Sequence, residues 1–256
     1  MPTTLKIKST DDAAKTHREA LAQRVFASLG LQSAGRRLLC FLDDEDWRAF
    51  KTQNDAANRG FYAPVRTVHP HWLIARRYLL ETVFVGGAPA FDDFVYLHGT
   101  TCAGDIALTM TLAHELQHFI QHADHTRLWA ANSLIPNLHN MVMAALCLRW
   151  CDIPHEREAR IVSKRTAEDL FGPDAVSQHI DARLANPVTE QDGIDWQCIR
   201  ELSASSPYDL ANETKLFFPR LTDYSDQLQA ALAHFQAIDP DYADVDLQGL
   251  LDAAVM

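Results

Sequence analysis

Residues 105–123, DIALTMTLAHELQHFIQHA, constrain this chain more than any other stretch, because they read as a buried helix that carries three histidines and a glutamate. At about 100° per residue, Ile106, Leu108, Met110, Leu112, Ala113, Leu116, Phe119 and Ile120 fill one broad arc. Ala107, Thr111, His114, Glu115, His118 and His122 lie on the other side. The apolar arc explains burial and leaves the polar residues in need of partners, since a charge held away from water must be compensated.

His114 and His118 are four residues apart, so their rings project from one side of the helix, a turn from each other. Two imidazoles at that spacing can hold one zinc ion, and Glu115, rotated one residue on, points at its open coordination position. Zinc lowers the pKa of a bound water to about 7, and a neighbouring carboxylate takes the proton as the water attacks a carbonyl. The expectation is one Zn2+ per chain, with Glu115 as catalytic base. The competing reading is a helix whose histidines are solvated or bonded to backbone.

The rest of the chain reads as an α+β protein. A helix is expected over 10–30, closing at Gly30. Strand signals within 36–99 are RRLLCFLDD, ETVFVGG and DDFVYLHG. After residue 100 only helices are expected: 105–123, about 136–150 with Pro136 in its first turn, and a third opened by Asp152 and Pro154 and closed at Gly172. Runs of strands followed by runs of helices indicate an α+β domain. The organisation expected is a domain over 1–172 and a helical extension over 173–256 packed on it.

With 256 residues, 47% hydrophobic, the chain can bury a full core, and its net charge of −11 disfavours nucleic acid as a partner. The polar N-terminus and the short apolar run MVMAALCL suit a cytoplasmic protein with no membrane partner. Five cysteines in no regular framework suggest reduced thiols and no disulfides. Cys147 and Cys151 read as core thiols beside a capping His155, in preference to a second metal site. His69 and His71 read as parts of a turn fixed by Pro70. The acidic DPDYADVD (239–246) lacks the glycine and closing glutamate of a calcium loop, so it reads as a solvated turn.

HELQH on a helix preceded by the strand DDFVYLHG resembles the zincin metallopeptidases. The resemblance implies a zincin-like core, with a small mixed β-sheet followed by the HExxH helix and further helices. A third ligand has to come from elsewhere, because His122 and His125 share a helix rising about 1.5 Å per residue and cannot surround the same ion. Asp124 stands where a metzincin-type site has its third ligand, but Gln121 replaces the glycine that turns the chain there. In IPHEREARIVSKRTAEDLFG (153–172), Glu158 lies three and four residues before Ile161 and Val162 and should face inward, whereas Glu156 lines up with Arg160 as an exposed ion pair. Acidic residues near a helix start are also favoured by the macrodipole with no metal present. Glu158 is the expected ligand, with Glu156 and Asp124 as alternatives.

HELQH followed by EREAR is similar to the gluzincins, and within them to the ImmA/IrrE-type cytoplasmic metallopeptidases, over residues 80–172. That likeness implies zinc held by His114, His118 and Glu158, with Glu115 as base. Arg160 and Val162 depart from the family pattern, which often has Asn at the former, while thermolysin-like enzymes have Asp at the latter. The expected function is zinc-dependent hydrolysis of peptide bonds. The alternatives are an idle zincin scaffold that binds or regulates, and a hydrolase of a non-peptide amide. The substrate is expected to be an extended protein or peptide lying along 94–98 as an added edge strand, with Ala107 and Thr111 leaving room for it. Tyr208, His155 and His179 are open candidates for stabilising the oxyanion.

Overall fold

The computed structural model describes residues 3–9, 11–31, 36–43, 60–67, 81–85, 87–98, 104–138, 140–185 and 195–253. The acidic segment after residue 43, His69, His71 and Cys102 lie outside them. The chain opens with β1 (Thr4–Lys8), where Leu5 and Ile7 alternate with lysines, a period-two signal in a stretch that reads as polar overall. Helix α1 (Asp12–Ser28) follows, capped by Asp11, whose carboxylate accepts the N–H groups of Ala13 and Ala14. The remaining strands are β2 (Leu38–Asp43), β3 (Gly60–Pro64), β4 (Phe84–Val85), β5 (Ala88–Pro89) and β6 (Asp93–His98).

The main sheet has the order β1-β2-β6-β3. β1 and β6 run parallel to β2, and β3 runs antiparallel to β6. Strand β6 therefore has a neighbour on each side, with Val95 opposite Cys40 of β2 and Tyr62 of β3. This corrects the expectation that 94–98 is an edge open to a peptide: its backbone groups are already paired. The edge strand beside it is β3, with β1 at the opposite edge, and the entry of β3 requires glycine, because a Cβ on Gly60 would stand 2.7 Å from the Tyr96 carbonyl oxygen.

The two central strands are buried on both faces, as their near-continuous apolar runs demand. Leu38, Cys40, Leu42, Val95 and Leu97 pack under α1 and under Leu108, Leu112, Leu116 and Phe119. Leu39, Phe41, Phe94 and Tyr96 form the opposite layer with Val65 and Val83.

Helix α2 (Asp105–Asp124) runs across the first of these faces. After α3 (Thr126–Ser133), the single helix expected to about residue 150 is broken. Pro136 lies in a 3-10 turn, α4 (Asn140–Ala145) has 6 residues, and Cys147 has φ +52°. Helix α5 (Pro154–Phe171) starts on proline and stops at Gly172, whose φ of +85° suits glycine. It packs along α2. Then come α6 (Pro173–Ala185), α7 (Trp196–Glu201), α8 (Leu210–Phe217), α9 (Ser225–Gln236) and α10 (Leu247–Leu251). Residues of the last three helices share a core with Ala130, Ala131, Leu134 and Ile153. Among the described residues no helix is long and apolar enough to cross a membrane.

A disulfide joins Cys151 to Cys198, 47 residues apart, which corrects the expectation of reduced thiols. Both sulfurs are buried with Ile161 and Leu202, where α7 packs beside the turn that precedes α5. Cys40 and Cys147 are free. The acidic segment 239–246 is also less solvated than its composition suggests: Asp239 is 4% exposed and pairs with Arg66 at 3.1 Å, and Asp241 pairs with both Arg66 and His122.

Candidate metal centre

Close packing of α2 on α5 brings His114, His118 and Glu156 together. His114 Nε2 lies 3.1 Å from His118 Nε2 and 3.3 Å from Glu156 Oε2, and His118 Nε2 lies 3.4 Å from Glu156 Oε1. Ligand atoms about 2.0–2.1 Å from a tetrahedral zinc stand ~3.3 Å from one another, close to the separation of the two Nε2 atoms and of each from one of the two oxygens of Glu156. Glu156 Oε2 is buried without a hydrogen-bond partner, as a donor atom awaiting a cation would be. The donor set of two imidazoles and one carboxylate suits zinc chemically, and it fits a divalent ion by spacing.

The grouping differs from the expected one. Glu156 is 6% exposed and faces the histidines, so the anticipated surface pair with Arg160 is not formed. Glu158 stands behind the site and holds its ligand in place. Its Oε2 accepts from Gln121 Nε2 at 2.8 Å and from Gln117 Nε2 at 3.2 Å. Gln121 Oε1 in turn lies 2.8 Å from His118 Nδ1, which fixes Nδ1 as the protonated nitrogen and leaves Nε2 free to coordinate. Asp124 and His125 are exposed beyond the site. His122 belongs to another network, bonded to the Tyr62 hydroxyl and to Asp241 and lying 3.7 Å from Asp93, itself clamped by Arg36 at 2.6 and 2.8 Å.

Burial governs the protonation of the metal-free group. It pushes the His114 imidazole down to about 3 and the His155 imidazole down to about 4. At His118 burial acts in the same direction, but the charge and hydrogen bond of Glu156 outweigh it and raise the ring to about 9. Glu156 is held well below the usual carboxylate range, because His118 and His114 overcome the burial that opposes its ionisation. An imidazolium–carboxylate pair thus balances the site until a cation displaces its proton.

Glu115 is 8% exposed, and burial raises it to about 7 against the opposing charge of His118. The backbone N–H of Tyr62, on the edge strand β3, is a smaller influence that favours the ionised carboxylate. The neutral form is favoured in the fold, so metal-free protein has this stability in full below 4.5 and loses it as pH rises through about 7. Glu115→Gln cannot ionise. Unfolding of metal-free protein by urea should show the variant gaining on the order of 3 kcal/mol over wild type above pH 7 and nothing at pH 4. Parallel stability curves for the two would refute the assignment.

Of the oxyanion candidates, His155 stands beside the centre, its ring 5.4 Å from that of His118 and its Nε2 3.7 Å from Glu156 Oε1. The Tyr208 hydroxyl donates to the Pro154 carbonyl at 3.0 Å, and His179 packs edge-on against Trp196. Ala107, expected to border a groove, is 3% exposed under its neighbours. A second group of donors, Cys151, Asp195 and Cys198, consists of the disulfide and the residue that caps α7 through the Cys198 N–H. No family model matches this chain, and no curated protein or solved structure matches it either.

Proposed function

We propose that this protein is a zinc-dependent peptidase with a zincin-like core and one ion per chain, held by His114, His118 and Glu156. The observation that carries this reading is the approach of the two Nε2 atoms to 3.1 Å of each other and to 3.3 and 3.4 Å of one or other oxygen of the Glu156 carboxylate, with the buried Glu115 carboxylate on the residue next to His114. When bound, zinc supplies a Lewis acid for a carbonyl and lowers the pKa of a water to about 7.

The chain's own residues do the rest. Glu115 takes the proton from the attacking water and passes it to the leaving amine, a role that suits a carboxylate raised by burial towards neutrality. His155, kept neutral by burial, offers an N–H to the oxygen that gains charge. Gln121 and Glu158 hold His118 in its coordinating tautomer. An extended substrate would use the free side of β3. Phe61 and Ala63 face β6 in the same register as the Val65 N–H to Asp92 bond, so the backbone groups of Gly60 and the Tyr62 carbonyl point outward.

The test is cleavage of unfolded casein by zinc-loaded protein, before and after removal of zinc by chelation. Cleavage that stops on chelation and returns with one equivalent of zinc supports the reading. Loaded protein that leaves casein and a mixed peptide pool intact overturns it. A second reading, a latent or idle scaffold, is favoured by the pairing of β6 on both sides.

A further inference from the structure

Strand β3 takes its sheet bonds from β6 on one side, so its position over the metal helix depends on side chains as well. Tyr62 supplies them from the middle of the strand. Its ring packs edge-on against Phe119 of α2 and Trp129 of α3, and its hydroxyl donates to Asp93 at 2.9 Å. That bond uses the hydroxyl's one proton, so the contact with His122 Nδ1 has the ring nitrogen as donor and the Tyr62 oxygen as acceptor. Nε2, at the other end of the ring, donates to the Asp241 carboxylate. His122 is fully buried, one helical turn beyond the ligand His118.

Asp241 also pairs with Arg66, two residues past the end of β3, and Asp239 pairs with the same guanidinium at 3.1 Å. Asp239 Oδ1 accepts the Asp241 N–H at 3.0 Å and so sets the 3-10 turn Pro240–Tyr242 that presents the Asp241 side chain. One carboxylate of the C-terminal extension is thereby shared between the metal helix and the exit of the edge strand. Both ring nitrogens of His122 and the Tyr62 hydroxyl have partners, and a satisfied buried network of this kind specifies a single arrangement of the elements it joins.

We propose that Asp241 is a positioning residue for the substrate edge. Through His122 and Tyr62 on one side and Arg66 on the other, it holds β3 where a peptide added to the free side of the strand meets the metal centre. This rests on the hydrolase reading above, and it gives the C-terminal extension a part in substrate binding.

The experiment compares full-length, zinc-loaded wild type with Asp241→Ala, Asp241→Asn and Tyr62→Phe. Asp244→Ala, which removes only the exposed pair with Arg127 in the same segment, is the control. Backbone amide exchange is followed over residues 60–64, and kcat and KM are measured on casein. In Asp241→Ala and Tyr62→Phe, exchange in β3 should be about tenfold faster and KM about tenfold higher, the scale set by one lost buried hydrogen bond. kcat should stay within about twofold and zinc content should be unchanged, because the substitutions remove substrate binding and spare the chemistry. Asp241→Asn still accepts from His122 and should recover part of both changes, and Asp244→Ala should match wild type. A residue that serves stability alone would speed exchange evenly across β2, β6 and β3 and leave the KM of folded protein unchanged. That pattern overturns the proposal, and so does unaltered exchange in β3. Tyr62→Phe keeps the ring in its packing and carries the test if Asp241→Ala fails to fold. If wild type cleaves nothing, the hydrolase reading falls and exchange decides the positioning claim by itself. Faster exchange confined to β3 in Tyr62→Phe and the Asp241 variants then upholds it, and unaltered or evenly faster exchange overturns it.

Discussion

Glu115→Gln should abolish hydrolysis and leave the ion in place. The substitution keeps the side chain's volume and removes only the capacity to take a proton. Loss of a positioned general base lowers turnover by a factor on the order of 10²–10⁴. Glu115 is not among the three residues whose donor atoms converge, so zinc content should remain at the wild-type level. Paired measurement of turnover and bound zinc on one preparation checks both halves. A variant that loses its zinc would make Glu115 a ligand, and a variant that keeps its activity would place the base elsewhere.

The second large effect distinguishes the two glutamates of α5. Glu156→Ala should weaken zinc binding far more than Glu158→Ala, the reverse of the order expected from sequence. Glu156 brings a carboxylate to within 3.3–3.4 Å of both histidine Nε2 atoms, and without it two neutral imidazoles are left to hold a dication that has lost its buried anionic ligand. Glu158 acts through Gln121, so its loss should cost about 10–100-fold in affinity, as other outer partners of metal ligands do. Competitive titration against a chelator of known affinity gives both numbers. Glu158→Ala as the more damaging change would return the ligand role to Glu158.

That the fold groups Glu156 with the histidines, where Glu158 was the expected ligand and Glu156 an alternative, shows where sequence reasoning stops. His114, Glu115 and His118 were legible because a single helical repeat fixes their relative directions. On α5 the inward face was sought from Ile161 and Val162. Ile161 is buried, but against Cys151, Cys198 and Leu202, while Glu156, Ala159, Ser163, Thr166 and Ala167 form a second buried stripe at helical spacing, made mostly of small side chains. Small residues let α2 approach closely, so this stripe, and not the bulky pair, marked the contact with the metal helix and put Glu156 on it. Gln121 appeared only as a missing glycine, although it is the link between Glu158 and His118.

In the sheet, the two apolar central strands were readable from composition. The position of β6 between β2 and β3 was not, because β3 is a five-residue segment bounded by Gly60 and Pro64 that is not among the strand signals within 36–99. The Cys151–Cys198 bond joins elements whose proximity depends on the packing of α5 and α7, which no spacing between the cysteines encodes.

The central claim, that His114, His118 and Glu156 form a metal site, is tested most directly by the zinc content of the purified protein. The protein should be loaded with excess zinc, dialysed against metal-free buffer and measured by elemental analysis beside the His114→Ala/His118→Ala double variant. The account predicts one zinc per chain in the wild type and none in the folded double variant. Wild-type protein that retains no zinc, or a double variant that retains as much as the wild type, would contradict it.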